Sequence, residues 1–256
     1  MDLGLKDRVA IVTGAGSQVG FGRQICLTLA EEGCHIVASD VDFEGAQKTA
    51  SQVEAMGRQA LAVKCDITKA ADSVEMVKQA LAKFGKIDIL VNNAGAILGG
   101  GPFVNQDEAL WDRELSLNLK GPMLVTKAVL PSMIEKKYGK IVNISSDTAK
   151  HVAPHLGVSM YNIAKTGIFK FTRDLAASVI AHNIFVNSVS PGWSLDTAFA
   201  KMPDKKAAEE MFKKETPSGK GVTAKDIASA VAYFASDLSS DVVGQILSIS
   251  GGSTFQ

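Results

Sequence analysis

Three side chains in the second half of the chain are spaced so that they could surround one oxygen atom. Tyr161 and Lys165 lie four residues apart in a helical pattern running to Ser178, and so on one face. Ser146 stands at the carboxyl end of the strand pattern Gly139 to Ser145 that precedes them. A free tyrosine, with a pKa near 10, is a poor base at neutral pH. An ammonium one turn away, reinforced by a nicotinamidium ring, should favour the phenolate and lower that value. Ser146 could hold a substrate oxygen while its charge changes. The chemistry that follows is proton transfer at Tyr161 coupled to hydride transfer between an alcohol carbon and a nicotinamide. Asn118, in the middle of a helical stretch, is either exposed or used to hold a water or a backbone carbonyl.

A place for the nicotinamide nucleotide can be read from Arg8 to Asp40. An apolar run (Val9 to Val12) leads into Thr13 and Gly14; Gly20 and Gly22 follow, then a helical pattern ending at Gly33, then a second apolar run that stops at Asp40. Glycines suit a turn whose backbone must approach a pyrophosphate, and the N-terminus of the next helix offers it unpaired N–H groups. Ser17, Gln18 and Val19 belong to this turn and are expected against the cofactor, while Asp40 is expected to accept hydrogen bonds from both adenosine ribose hydroxyls.

The elements that must bring these residues together alternate along the chain. Strand patterns at Val9–Val12, His35–Ser39, Ala60–Lys64, Ile87–Val91, Gly139–Ser145, Phe185–Val189 and Gln245–Ile249 are separated by helical ones. Among the helices, Ala70 to Phe84 carries an apolar stripe of Val74, Val77, Leu81 and Phe84; Gln106 to Lys136 is interrupted near Gly121 and Pro122; Asp204 to Lys214 suits a mobile cover. Thr223, with Asp226 three residues on, has the form of a helix cap. Alternation of short strands and longer helices signifies right-handed βαβ units. The expected fold is a single doubly wound α/β domain of the Rossmann type over residues 1–256, a seven-stranded parallel sheet with helices on both faces. Its ligand should sit beyond the carboxyl ends of the strands, where Gly14, Asp40, Asp66, Asn92, Ser146 and Pro191 would meet.

Composition narrows the function classes. The 27 basic and 27 acidic side chains balance, so no overall field draws the chain to nucleic acid or an anionic membrane. No apolar run is long enough to span a bilayer, and strand pattern begins within ten residues of the N-terminus, leaving no room for a signal sequence; the expected location is the cytoplasm. Cys26, Cys34 and Cys65 lack metal spacing and read as buried thiols, and four histidines without Glu or Cys at ligand spacing argue against a metal site.

These motifs together resemble the short-chain dehydrogenase/reductase family, from Lys6 to about Thr254. The family's nucleotide turn corresponds to Thr13, Gly14, Gly20 and Gly22, and its Asn-Asn-Ala-Gly signature stands unchanged at Asn92 to Gly95. The resemblance implies a catalytic tetrad of Asn118, Ser146, Tyr161 and Lys165, with Asn118 holding a water that links the lysine to solvent. It further implies that Lys165 binds the nicotinamide ribose, that Asp66 bonds the adenine amine with Ile67 packed on the ring, and that Asn92, Ala94 and Gly95 border the cofactor. Pro191 and Gly192 match the motif after the sixth strand, Thr197 the threonine on the carboxamide, and Val189 or a nearby backbone group would help hold the nicotinamide. A homotetramer built on the Gln106–Lys136 and Tyr161–Ser178 helices is also implied.

The sequence departs from the family pattern in three places. Five residues, not the usual three, separate Gly14 from Gly20. That longer loop resembles the divergent enoyl-reductase branch, but there tyrosine and lysine are separated by six residues, and counting back from Lys165 reaches Val158, which cannot serve. Ser146 precedes Tyr161 by fifteen positions, about two more than usual, and Thr197 falls one place late. The carboxylate of Asp40, with no Lys or Arg among Ala15, Gly16, Ser17, Gln18 and Val19, points to NAD and not NADP. The expected activity is NAD-dependent interconversion of a secondary alcohol and a ketone, with C=C reduction and a non-catalytic NAD-binding protein as the alternatives. Trp193, Val152, Leu156, Leu98 and Phe103 are expected to line an apolar substrate pocket, and His151 and His155 could recognise a carboxylate or hydroxyl.

Overall fold

The computed structural model describes residues 2–150, 158–197 and 205–254. Seven strands form one sheet: β1 Val9–Thr13, β2 His35–Asp40, β3 Ala60–Lys64, β4 Ile89–Asn92, β5 Gly139–Ile144, β6 Ile184–Pro191 and β7 Ile246–Ile249. Their order is β3-β2-β1-β4-β5-β6-β7, and every neighbouring pair is parallel. The order reverses between β1 and β4, which places the crevice for a ligand at the ends of those two strands. The eight helices among the described residues are α1 Phe21–Glu31, α2 Phe43–Ala55, α3 Ala70–Phe84, α4 Glu108–Leu115, α5 Gly121–Lys136, α6 Met160–Val179, α7 Lys205–Glu215 and α8 Ala224–Ala235.

Successive strand residues point to opposite faces, so each strand feeds two apolar layers. Ala10, Val12, Ile36, Ala38, Ile89 and Val91 pack beneath α1, α2 and α8, while Val9, Ile11, Val37, Leu90, Ile141 and Val186 pack beneath α3, α5 and α6. The thiols of Cys26, Cys34 and Cys65 are free and buried in these layers. On α3 the stripe is rotated from the expected one: Met76, Val77 and Ala80 face the core with Leu81 and Phe84 beside them, whereas Val74 faces solvent. Helix starts follow local chemistry. Asp42 accepts the Gly45 N–H at α2, and Thr223 and Asp226 form a reciprocal capping box at α8.

The long helical stretch does not break at Gly121 and Pro122. A π-helical turn, Ser116–Lys120, joins α4 to α5, and the Gly121 N–H reaches back five residues to the Ser116 carbonyl. Pro122 has no N–H with which to satisfy the Asn118 carbonyl four residues earlier, so regular α-helical bonding cannot run through this segment. Asn118 is fully buried within the turn. No helix among the described residues is long and apolar enough to cross a membrane.

Candidate active site

A cavity of about 520 Å³ opens at the carboxyl ends of the strands, where the order reverses. One end is built by β1, the glycine turn and the start of α1. Gly14 has φ of +69°, and a Cβ there would lie 2.8 Å from the Ala94 Cα. A Cβ on Gly22 would lie 2.1 Å from the Gly14 carbonyl oxygen, so α1 can pack on the turn only through a glycine. Gly14, Ser17, Val19, Gly20 and Gly22 line this end, as do Asp40, Asp66 and Ile67. The Asp40 carboxylate accepts the Gly16 N–H at 2.8 Å and the Asp42 N–H at 3.0 Å, which fixes it at the tip of β2. Asp66 accepts from both the N–H and the hydroxyl of Thr68, and the Thr68 hydroxyl bond is the first cause holding its pKa below the usual value.

The other end holds the side chains expected to carry the chemistry. Ser146 stands just past β5, Tyr161 and Lys165 project from the first turns of α6, and all three line the cavity with Pro191, Gly192 and Thr197. Lys165 is buried, and its Nζ donates to the Ile144 carbonyl at 2.8 Å and lies 5.5 Å from the Tyr161 ring centroid. Asn118 Oδ1 accepts the Ala96 N–H at 3.0 Å and Nδ2 donates to the Ala96 carbonyl at 2.8 Å. Gly95 fits between the two, since a Cβ there would lie 2.7 Å from Asn118 Oδ1 and 3.3 Å from Lys165 Nζ. Asn118 is therefore used to hold peptide groups of the loop after β4.

The protein's own groups raise the pKa of Tyr161, so the ammonium alone does not supply the expected acidification. Burial pushes its phenol up to about 12, and the charges of Asp147 and Glu114 push in the same direction against a hydrogen bond from Ser146. Lys165 does not offset this where the phenol titrates, because burial lowers its own pKa to about 8 and it has lost its proton by then. Asp147, buried beside Ser146, accepts the Ser253 hydroxyl at 2.8 Å and thereby ties the C-terminal segment to the cavity wall.

Several expected contacts are placed elsewhere. Gln18 turns away from the cavity: its Nε2 donates to the Gly16 carbonyl at 2.9 Å, to the Gly45 carbonyl at 3.1 Å and to the Thr49 hydroxyl at 3.3 Å. Asn92 is buried behind the site, with Nδ2 bonded to the Thr126 hydroxyl and Asn143 Oδ1, each at 2.9 Å. It points to the α5 and α6 side of the sheet; the next residue, Asn93, borders the cavity and donates to the carbonyls of Thr13 and Gly14. Ala94 and Gly95 line the cavity as expected, and Val189 is fully buried in the core.

At the substrate end Trp193 lines the wall, joined by Ile97, Met211 and Phe212. Leu98 and Phe103 do not line it. The Leu98 N–H is bonded to Glu114, and Phe103 is stacked on Trp111 at 5.2 Å between centroids. His151, Val152, His155 and Leu156 lie outside the described residues. Met211 and Phe212 sit on the Lys- and Glu-rich α7, whose Ala208 and Phe212 are buried; two apolar residues among charges were the only signal of that inward face. No group of three or more His, Cys, Asp or Glu that could hold a metal occurs among the described residues.

A doubly wound sheet whose switch-point cavity joins a glycine turn and an acid-tipped β2 to a Ser, Tyr and Lys set defines an oxidoreductase of the nucleotide-binding kind. The glycine cradle and the open start of α1 fit a dinucleotide. Residues 14–254 match the family model described as enoyl-(acyl carrier protein) reductase. The chain is 38% identical over 250 residues, 98% of each sequence, to (2S)-[(R)-hydroxy(phenyl)methyl]succinyl-CoA dehydrogenase subunit BbsD of Thauera aromatica. It is 36% identical to cis-4-hydroxycyclohexanecarboxylate dehydrogenase of Sinomonas cyclohexanicum, over 97% of each sequence. The crystal structure of levodione reductase superposes with a TM-score of 0.87 at 31% identity, covering 96% of this chain and 97% of that one. The protein belongs to the short-chain dehydrogenase/reductase family, whose members typically use a nicotinamide cofactor.

Proposed function

We propose that this protein is an NAD-dependent dehydrogenase/ketoreductase that interconverts a secondary alcohol and a ketone. The observation that carries the reading is the convergence of Ser146, Tyr161 and Lys165 at one end of a cavity whose other end is closed by Asp40. Asp40, held by two backbone N–H groups, leaves a carboxylate where the 2′-phosphate of NADP would be repelled. Gly14, Gly20, Ser17 and the start of α1 would hold the pyrophosphate, Asp66 and Ile67 the adenine, and Thr197 with Pro191 and Gly192 the nicotinamide. The nicotinamide supplies the hydride acceptor or donor when bound.

In reduction the neutral Tyr161 phenol gives its proton to the carbonyl oxygen as the hydride reaches the carbonyl carbon; in oxidation the Tyr161 phenolate, which a positively charged nicotinamide ring beside it would favour, takes the proton of the substrate hydroxyl as the hydride leaves the carbinol carbon. Ser146 holds the oxygen by a hydrogen bond throughout. Lys165 is oriented by the Ile144 carbonyl, and Asn118 keeps the loop after β4 closed around it. The pocket walls of Trp193, Ile97, Met211 and Phe212 suit an alkyl or ring body, in keeping with the cyclic or aryl substrates in the names of two relatives. C=C reduction, the activity in the family model's description, is disfavoured because Val158 stands where that branch places its tyrosine.

The test is a panel of cyclic and aryl secondary alcohols with NAD and with NADP, followed by absorbance of the reduced nicotinamide. Turnover with NAD is expected. NAD binding without turnover of any alcohol or ketone would favour the non-catalytic alternative, and reduction of an enoyl thioester alone would favour the other.

A further inference from the structure

The reaction proposed above gives no role to the carboxylate of Glu114. It projects from α4 one turn before Asn118 and is 2% exposed. It takes part in none of the ion pairs found among the described residues. A buried carboxylate with no counter-ion is a costly thing to keep in a fold, and a neutral or apolar side chain would spare that cost.

Two contacts say what the group does. Its Oε1 accepts the Leu98 N–H at 2.8 Å, and four residues later Asn118 grips both peptide groups of Ala96. The two side chains thus clasp alternate residues of the loop after β4, and the residue between them, Ile97, is left lining the substrate end of the cavity. Leu98 itself does not line the pocket. Helix α4 also packs on α6, the helix that carries Tyr161 and Lys165, and the charges of Glu114 and of Asp147, next to Ser146, both act on the Tyr161 phenol.

We propose that Glu114 is a positioning residue of this active site, holding Ile97 against the substrate through Leu98, and that its carboxylate also acts on the Tyr161 phenol. The kinetic part of this rests on the alcohol/ketone reading; the electrostatic part does not. Geometry and charge separate cleanly, because Glu114→Gln keeps an acceptor for the Leu98 N–H and removes the charge, whereas Glu114→Ala removes both.

Two measurements test it. The first is the phenolate fraction of Tyr161 near pH ~10.5, read by NMR of protein carrying ¹³C at the tyrosine ring Cζ, with Tyr161→Phe to assign the signal. Loss of one charge across a partly screened interior moves such a midpoint by about 0.5 to 1 pH unit, so both variants should show roughly threefold to tenfold more phenolate than the native protein. The second is KM and kcat for a bulky alcohol. Glu114→Gln should keep the native KM, and Glu114→Ala should raise it about fivefold to tenfold, with kcat less affected, the scale of one ordinary hydrogen bond lost. A native phenolate fraction in Glu114→Gln, or a native KM in Glu114→Ala, overturns the proposal. If the native protein turns over no alcohol or ketone, it is the functional reading that falls, and the phenolate measurement still decides the role of Glu114.

Discussion

Replacing Lys165 with Met should abolish turnover and yet stabilise the fold near neutral pH. The ammonium is 3% exposed, and burial alone brings its pKa from 10.5 to about 8. A base whose folded pKa lies below its unfolded one binds its proton more weakly in the native state, so keeping the charge opposes folding. That penalty is full below pH 8, fades between pH 8 and 10.5, and is absent above. A gap of about 2.5 pH units corresponds to about 3.5 kcal/mol at pH 7, falling to about 1.5 kcal/mol at pH 9.5. Methionine carries no such penalty. The advantage of Lys165→Met over the native protein should therefore be about 2 kcal/mol larger at pH 7 than at pH 9.5. The lost hydrogen bond to the Ile144 carbonyl subtracts equally at both pH values and cancels in the comparison. Urea unfolding of both proteins at the two pH values measures the difference. A stability difference that is the same at both would refute the reasoning, because Lys165 would then not be paying for its burial in proton affinity.

Three further outcomes follow from the same structure. Tyr161→Phe should reduce turnover by about two to four orders of magnitude while NAD affinity, measured by calorimetry, stays within about threefold; surviving activity would remove the tyrosine from its role. Asp40→Ala should raise NADP-linked relative to NAD-linked kcat/KM, and unchanged discrimination would show that the β2 carboxylate does not set the preference. Lys140 is fully buried at the opposite end of the sheet, 4.1 Å from the Phe185 ring centroid, and burial lowers its pKa to about 8. Lys140→Met should show the same pH-dependent gain in stability as Lys165→Met, with activity retained, and an equal or lower unfolding midpoint at pH 7 would count against it.

The strand and helix alternation was legible because strands buried on both faces leave uninterrupted apolar runs such as Val9–Val12, and the Thr223–Asp226 cap because it is purely local chemistry. The residues that meet at the site were legible as strand-end residues: Gly14, Asp40, Asp66, Ser146 and Gly192 all line one cavity. What the sequence could not show was direction. Asn92 and Asn93 differ by one position and so point to opposite faces; only the register of β4 with β5 pairs Asn92 with Asn143 and leaves Asn93 for the glycine turn. Val74 matched a helical stripe by spacing, but the sheet selected the neighbouring face through Met76 and Val77. Proximity of Lys165 to Tyr161 suggested an acidified phenol, whereas burial of both groups pushes the other way, and burial is a property of the packed structure. Asp147 and Glu114 carried no motif; their importance comes from the charge that each, from a different element, brings to bear on the Tyr161 phenol.

The lengthened glycine loop has a consequence for redesign. Through Gln18 it is fastened to Gly45 and Thr49 of α2, and Gln52 on the same helix donates to the Gln18 amide oxygen at 3.2 Å. Residues 15–19 and the outer turns of α2 thus form one cassette. Grafting a shorter, basic loop alone to change nucleotide preference would remove the Gln18 bonds that fasten it to Gly45, Thr49 and Gln52, so a transplant has to carry both segments together.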